Sequence, residues 1–239
     1  MISSAVSREE ATPIPPVPEK YRQVPEFYRV TDMERPGEQP VLIYTAWGSS
    51  LSGYLRKIGY SDTEIYRIDL ALFQGWGTQA PTAYVPNLNR QVKSIHDEHG
   101  KKVDIIAHSL GGLTARWYVE QTDGAQYVDD LITLAAPNQG GLVFYGLYMF
   151  PAGRAMVPSS SFLQTLNGGS LAPDVEYTAV WSNIDEVFLF NLFRSDGAKL
   201  PQKLIDEHGN ARNVWGGSTE HIELAVSWQA FKRYYQYLD

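Results

Sequence analysis

Ser109 stands in the run Ala107-His108-Ser109-Leu110-Gly111-Gly112, at the end of the mostly apolar run Val103–Ala107. A serine with small residues two places away on either side, at a turn from strand to helix, is the arrangement of a nucleophile elbow. The demand is steric. The serine is forced into a strained backbone conformation so that its hydroxyl projects above the sheet, and bulk two residues away would keep the turn from closing. Ala107 and Gly111 meet that demand, with alanine where glycine is usual. Serine also serves as a plain helix cap. The buried strand before it and the second glycine after it favour nucleophilic chemistry. The start of the following helix would direct positive potential at an oxyanion formed there.

A serine hydroxyl is a weak nucleophile. It needs a general base, itself oriented by an acid. Among the five histidines, His96 and His99 share a charged helical stretch with Asp97 and Glu98. His108 lies inside the elbow and is expected to line the turn, pointing away from Ser109. His208 falls in the polar loop Asp206–Asn210. His221 stands directly before the last helical stretch and is the leading base, with His208 as the alternative. The acid is expected in the loop after the fifth strand, at Asp185, with Glu186 as its rival.

These side chains must be carried by a sheet. Short apolar or alternating runs at Val41–Tyr44, Glu64–Ile68, Val103–Ala107, Asp130–Ala135, Tyr177–Trp181 and, weakly, Ala211–Trp215 read as strands. Leu88–His99, Leu110–Gln121 and Ile222–Leu238 read as helices, the first closed by Gly100. The alternation predicts an α/β fold of about six mostly parallel strands flanked by helices. Ligands in such sheets bind beyond the carboxyl ends of the strands. Residues 1–40, with seven prolines, are expected to form an extended arm packed on a domain running from 41 to 239.

Composition excludes several classes. The chain has no cysteine, which removes thiolate catalysis, disulfides and cysteine-based zinc sites. A net charge of −7, with no basic run longer than Lys101–Lys102 or Lys232–Arg233, argues against nucleic acid. No His/Asp/Glu spacing resembles a metal-ligand set, and no metal or cofactor is expected. The charge-free stretch Leu131–Gly153 is interrupted by Pro137–Gly141, so no membrane span is expected. The opening residues Met1-Ile-Ser-Ser carry no visible signal peptide.

Val103–Gly112 (VDIIAHSLGG) and Leu131–Gly141 (LITLAAPNQGG), with Tyr177–Asp185 and His221, resemble the class 2 lipase family of the α/β-hydrolase superfamily. The resemblance covers roughly Pro40 to the C-terminus. It implies an α/β-hydrolase fold, Ser-Asp-His chain order, and cofactor-free hydrolysis of carboxylic esters, often acylglycerols. Asp185 and His221 match the family's acid and base positions. Leu110, after the nucleophile, should supply one oxyanion-hole amide. The family's second amide comes from a His-Gly-x-Gly loop, which here reads Thr45-Ala46-Trp47-Gly48. By register the donor is Trp47, or Ala46 if alanine shifts the loop. The family is commonly secreted, which is the one reason to expect an extracellular protein.

A glycine-broken apolar insertion at about 138–173 reads either as core or as a small cap over the site. As a cap, Phe144, Tyr145 and Tyr148, joined by Phe188 from a second apolar stretch, Val187–Phe193, would bind substrate. Burial at about 0.8 kcal/mol per methylene favours acyl chains over charged substrates. The expectation is a lipase or carboxylesterase acting on small-molecule or lipid esters, with contact to a lipid interface. A polyester depolymerase or acyltransferase on the same triad, or an inactive binding module, are the alternatives.

Overall fold

The computed structural model describes residues 33–70, 77–189 and 195–239. The strands are β1 Val41–Tyr44, β2 Ile65–Ile68, β3 Val103–His108, β4 Val128–Leu134, β5 Glu176–Trp181 and β6 Ala211–Trp215. They form one sheet in the order β2-β1-β3-β4-β5-β6, and every neighbouring pair is parallel. The helices are α1 Ser49–Lys57, α2 Val85–His99, α3 Leu110–Gln121, α4 Pro151–Met156, α5 Ser161–Gly168, α6 Glu186–Leu189, α7 Gln202–His208, α8 Glu223–Val226 and α9 Trp228–Tyr234. The α/β expectation and all six strands are therefore met.

The period-2 alternation sorts side chains to two cores. Leu42, Tyr44, Ile105, Ala107, Leu131 and Tyr177 meet α2 and α3, while Val41, Ile43, Ile106, Ile132, Leu134 and Val180 meet α1, α8 and α9. Helices on both faces explain why all six residues of β3 are buried. Helix α2 presents Leu88, Val92 and Ile95 to the first core and closes at Gly100 in the left-handed conformation.

Two local expectations change. The last helix does not run unbroken over 222–238. Ser227 adopts an extended backbone, and its hydroxyl caps the Ala230 N–H, so α8 and α9 are separate. A serine side chain that competes for helical amides favours such a cap over helix interior. The stretch after Gly48 was not legible as a helix, yet α1 begins there and buries Leu51 and Leu55.

The arm expected over 1–40 falls mostly outside the described residues. Within 33–40, Met33 packs on the second core, Arg35 pairs with Glu64 at 2.8 Å, and the Pro40 carbonyl accepts the Asp104 N–H. Between β4 and β5 the chain builds a 3-10 turn, Leu142–Leu147, followed by α4 and α5. A buried network ties this insertion to α3. Arg116 is fully buried, forks onto Glu120 at 2.8 and 3.1 Å, and donates to Asn138 and Asn167. Asn167 in turn donates to the Asn138 carbonyl at 2.7 Å.

Candidate active site

The carboxyl edge of the sheet gathers the predicted residues from three separate loops. Ser109 follows β3 with φ 53° and ψ −127°, a conformation that costs an L-residue about 1–3 kcal/mol and persists only when its surroundings enforce it. The enforcement is visible in the packing. A Cβ on Gly111 would lie 3.0 Å from the Tyr44 carbonyl oxygen, and one on Gly112 would lie 2.5 Å from the Ala136 Cβ. A side chain at Gly112 would collide with Ala136, and one at Gly111 would fit only if its neighbours gave way, so the pair lets helix α3 lie close to the sheet.

Ser109 Oγ lies 2.9 Å from His221 Nε2, and His221 Nδ1 lies 3.1 and 3.0 Å from the two Asp185 oxygens. Asp185 is buried and its Oδ1 also accepts the Val187 N–H, which fixes the carboxylate. The structure thus brings Ser109, His221 and Asp185 into one hydrogen-bonded chain. Glu186, the rival acid, does not reach the imidazole. Its Oε2 accepts the main-chain N–H of His221 at 2.8 Å. His208 lies elsewhere, at the end of α7 against Tyr177.

The loops that carry Asp185 and His221 are joined directly. Buried Ser182 accepts the N–H groups of Ile184 and Thr219 and donates to the Thr219 carbonyl. Asn183 accepts from Trp215 Nε1 and Ser218, both at 3.0 Å. His108 lines the turn on the side of the base. Its ring packs against His221 with centroids 4.8 Å apart, and its Nε2 reaches the His221 carbonyl at 3.0 Å. Burial, reinforced by His221, pushes the His108 pKa down to about 3, so this ring is neutral at ordinary pH. Ser182, Glu186 and the His108 contact were not legible as positioning groups. Nothing in their spacing distinguishes them from ordinary loop polar residues.

Leu110 begins α3, where the first amides have no intrahelical acceptor. On the opposite loop the Trp47 N–H donates to the buried Thr45 hydroxyl at 3.1 Å, so that amide is engaged. The Ala46 amide has no hydrogen bond among the described residues. Thr45 therefore braces the loop by a local turn. Gly48 is packed tightly, since a Cβ there would lie 2.7 Å from Ile43 Cγ2.

The four predicted substrate residues divide. Phe144 and Phe188 are buried in one apolar cluster with Leu110 and Leu113, and the Phe188 ring stands 6.2 Å from that of His221. Tyr145 and Tyr148 are half-exposed, stack on one another, and line a separate cavity of about 520 Å³ with Arg154, Val157 and Ser159–Ser161. Phe190, Leu192 and Phe193 lie outside the described residues. Leu142, Val143, Leu147 and Met149 are exposed, as are Trp47, Ile184, Trp215 and Ile222. Trp47 follows β1, Ile184 follows β5 and Trp215 ends β6, so exposed apolar side chains stand at the same carboxyl edge as Ser109 and His221. Among the described residues no helix is long and apolar enough to cross a membrane.

A grouping that spacing could not reveal lies at the opposite edge of the sheet. Carboxylate oxygens of Asp130, Glu176 and Asp239 fall within 4.8 Å of one another. Arg212 pairs with Glu176 at 2.7 Å and the Asp239 N–H donates to Asp130. This cluster is remote from Ser109 and has no part in its chemistry.

Comparison with known proteins agrees with this architecture. The family model described as palmitoyl protein thioesterase matches residues 47–184, more than half of the chain. Phosphatidylcholine-sterol acyltransferase of Gallus gallus is 31% identical over 106 residues, covering 39% of this chain and 25% of that protein. The chain thus spans a quarter of the length of this curated relative. The mature form of a Bacillus licheniformis lipase superposes with a TM-score of 0.65 at 17% identity, covering 85% of this chain and 93% of that one. Aspergillus fumigatus lipase B superposes with a TM-score of 0.59 at 18% identity, over 81% of this chain and 51% of that one. At these identities the structural likeness shows an α/β-hydrolase fold.

Proposed function

The chain belongs to the palmitoyl protein thioesterase family, within the α/β-hydrolase superfamily, and we propose that it is a serine hydrolase of carboxylic esters with hydrophobic acyl chains. The observation that carries this reading is the hydrogen-bonded chain Ser109–His221–Asp185, with the serine in a strained turn at the carboxyl edge. Ser109 Oγ attacks the acyl carbonyl carbon while His221 Nε2 takes its proton. The tetrahedral oxyanion is held by the Leu110 amide and a second amide of the Thr45–Gly48 loop. That second donor is Ala46, whose amide is unengaged, or Trp47 once Thr45 turns its hydroxyl away. His221 then gives its proton to the leaving alcohol as the C–O bond breaks. Water, deprotonated by His221, attacks the acyl carbonyl carbon, and His221 returns that proton to Ser109 Oγ as the acyl C–Oγ bond breaks and the acid leaves. Asp185 keeps the Nδ1–H tautomer throughout.

Phe144 and Phe188 form the apolar wall for the acyl chain, and the insertion at about 138–173 is its cap. The exposed apolar side chains at the carboxyl edge suit a lipid substrate surface. Charged headgroups find little there. Arg154, the cation of the cap, donates to the carbonyls of Tyr148 and Met149. The finer assignment to class 2 lipases rests on the sequence motifs alone.

Thioesters are a second reading, favoured by the family match. The same acyl-enzyme forms, and a thiol leaves with less need of a proton. An acyltransferase reading is favoured by the curated relative's name and would replace water by an alcohol acceptor. The test compares p-nitrophenyl butyrate, p-nitrophenyl palmitate, a palmitoyl thioester and a phosphomonoester in wild type and Ser109→Ala. Acyl substrates should be cleaved by wild type alone, with a loss on the order of 10⁶ in the variant. Equal turnover of the phosphomonoester, or substantial activity of Ser109→Ala, would overturn the proposal.

A further inference from the structure

We propose that His108 and Glu186 are positioning residues that grip the main chain of His221 from its two sides. This rests on the reading of Ser109, His221 and Asp185 as the catalytic set. The His221 N–H donates to Glu186 Oε2 at 2.8 Å, and the His221 carbonyl receives His108 Nε2 at 3.0 Å. A carbonyl only accepts, so His108 presents its Nε2–H there and its tautomer is fixed. Burial keeps that ring neutral, so it adds no positive charge against the imidazolium formed during turnover.

The arrangement follows from chain adjacency. His108 is the neighbour of the nucleophile Ser109, and Glu186 is the neighbour of the acid Asp185. Successive side chains diverge from the backbone. One member of each pair therefore hydrogen-bonds the His221 ring, and the other hydrogen-bonds a His221 peptide group. The loop between β6 and α8 needs this. The carboxyl end of β5 anchors it through the Gly216 N–H to the Trp181 carbonyl, and Gly217 then turns with φ 107°. Beyond that point the Thr219 N–H is held by Ser182 and the His221 peptide groups by Glu186 and His108. Side chains, not the sheet ladder, set where the imidazole stands.

Misplacing a reacting group by about 1 Å costs on the order of 10² in rate. The test uses the full chain with His108→Gln, His108→Leu, Glu186→Gln and Glu186→Leu, read by kcat, KM and the rate of fluorophosphonate labelling at Ser109. The leucine variants should lose about 10- to 100-fold in kcat and labelling, with KM within about twofold. The glutamine variants should recover most of the loss, because an amide can donate to the carbonyl or accept the N–H. The double leucine variant should lose less than the product of the single losses, since both act on one residue. If His108→Leu fails to fold, the exposed Glu186 pair decides. Unchanged kcat in Glu186→Leu, or equal losses in Glu186→Leu and Glu186→Gln, overturns the proposal. Full activity in Ser109→Ala would instead sink the underlying triad. A normal Ser109→Ala loss beside unaffected leucine variants sinks the grip alone.

Discussion

Replacing Asp185 with asparagine separates orientation of the base from mere occupancy of the site. The carboxylate is buried, meets His221 Nδ1 with both oxygens, and uses Oδ1 a second time to accept the Val187 N–H at 3.0 Å. An asparagine must still turn its carbonyl oxygen toward that backbone donor. Its NH₂ then faces Nδ1. At the Oδ2 place, 3.0 Å from Nδ1, that NH₂ opposes the Nδ1–H, which favours the tautomer that carries the proton on Nε2. That proton would point at Ser109 Oγ, 2.9 Å away, and the base could no longer accept. The expected loss is about 10⁴ in kcat with the geometry otherwise intact. It corresponds to about 5 kcal/mol of transition-state stabilisation. The assay is steady-state hydrolysis of p-nitrophenyl butyrate by Asp185→Asn, with KM and thermal midpoint read in parallel. A variant within about tenfold of wild type would refute the tautomer argument. The rival is then Glu186. A loss of about 10⁴ in Glu186→Gln with Asp185→Asn nearly active would assign the acid role there.

Two further outcomes concern stability. Burial, followed by the charges of Asp239, Asp129 and Glu176, raises the Asp130 pKa from 3.8 to about 8, and Asp104 beside it is raised chiefly by burial. The folded chain then holds protons that the unfolded chain releases. This contribution is complete below about pH 4 and is lost as pH rises through about 8. Asp130→Asn should flatten that decline in urea midpoint, and an unchanged pH slope would contradict it. Arg116→Leu leaves the buried Glu120 carboxylate and two asparagine oxygens without their donor, so unfolding free energy should fall by about 3–5 kcal/mol. Arg116→Leu with Glu120→Leu should recover part of that loss, and a single variant as stable as wild type would show the pair to be dispensable.

The alternation of strand and helix was readable because each strand's character is local. Val103–Ala107 is apolar except at Asp104, as expected of a strand buried on both faces. The strained serine was readable for the same reason, since Ala107 and Gly111 record a steric limit within five residues of chain. Asp185 and His221 could be ranked by topology and resemblance. Their 3.0 Å contact depends on two loops being tied by Ser182 and Asn183, partners 32 to 37 residues away in sequence. The break at Ser227 and the engaged Trp47 amide turned on single hydroxyl hydrogen bonds that composition does not encode. The division of Phe144 and Phe188 from Tyr145 and Tyr148 depended on which way a glycine-rich insertion turns. The carboxylates of Asp130, Glu176 and Asp239 meet only because β4, β5 and the C-terminal segment converge at the amino edge. The sheet and the strained serine turn at its edge were thus legible in the chain, because both are written in short-range sterics and periodicity. Which polar groups face one another came from the folded arrangement, because that depends on the relative placement of loops distant in the chain.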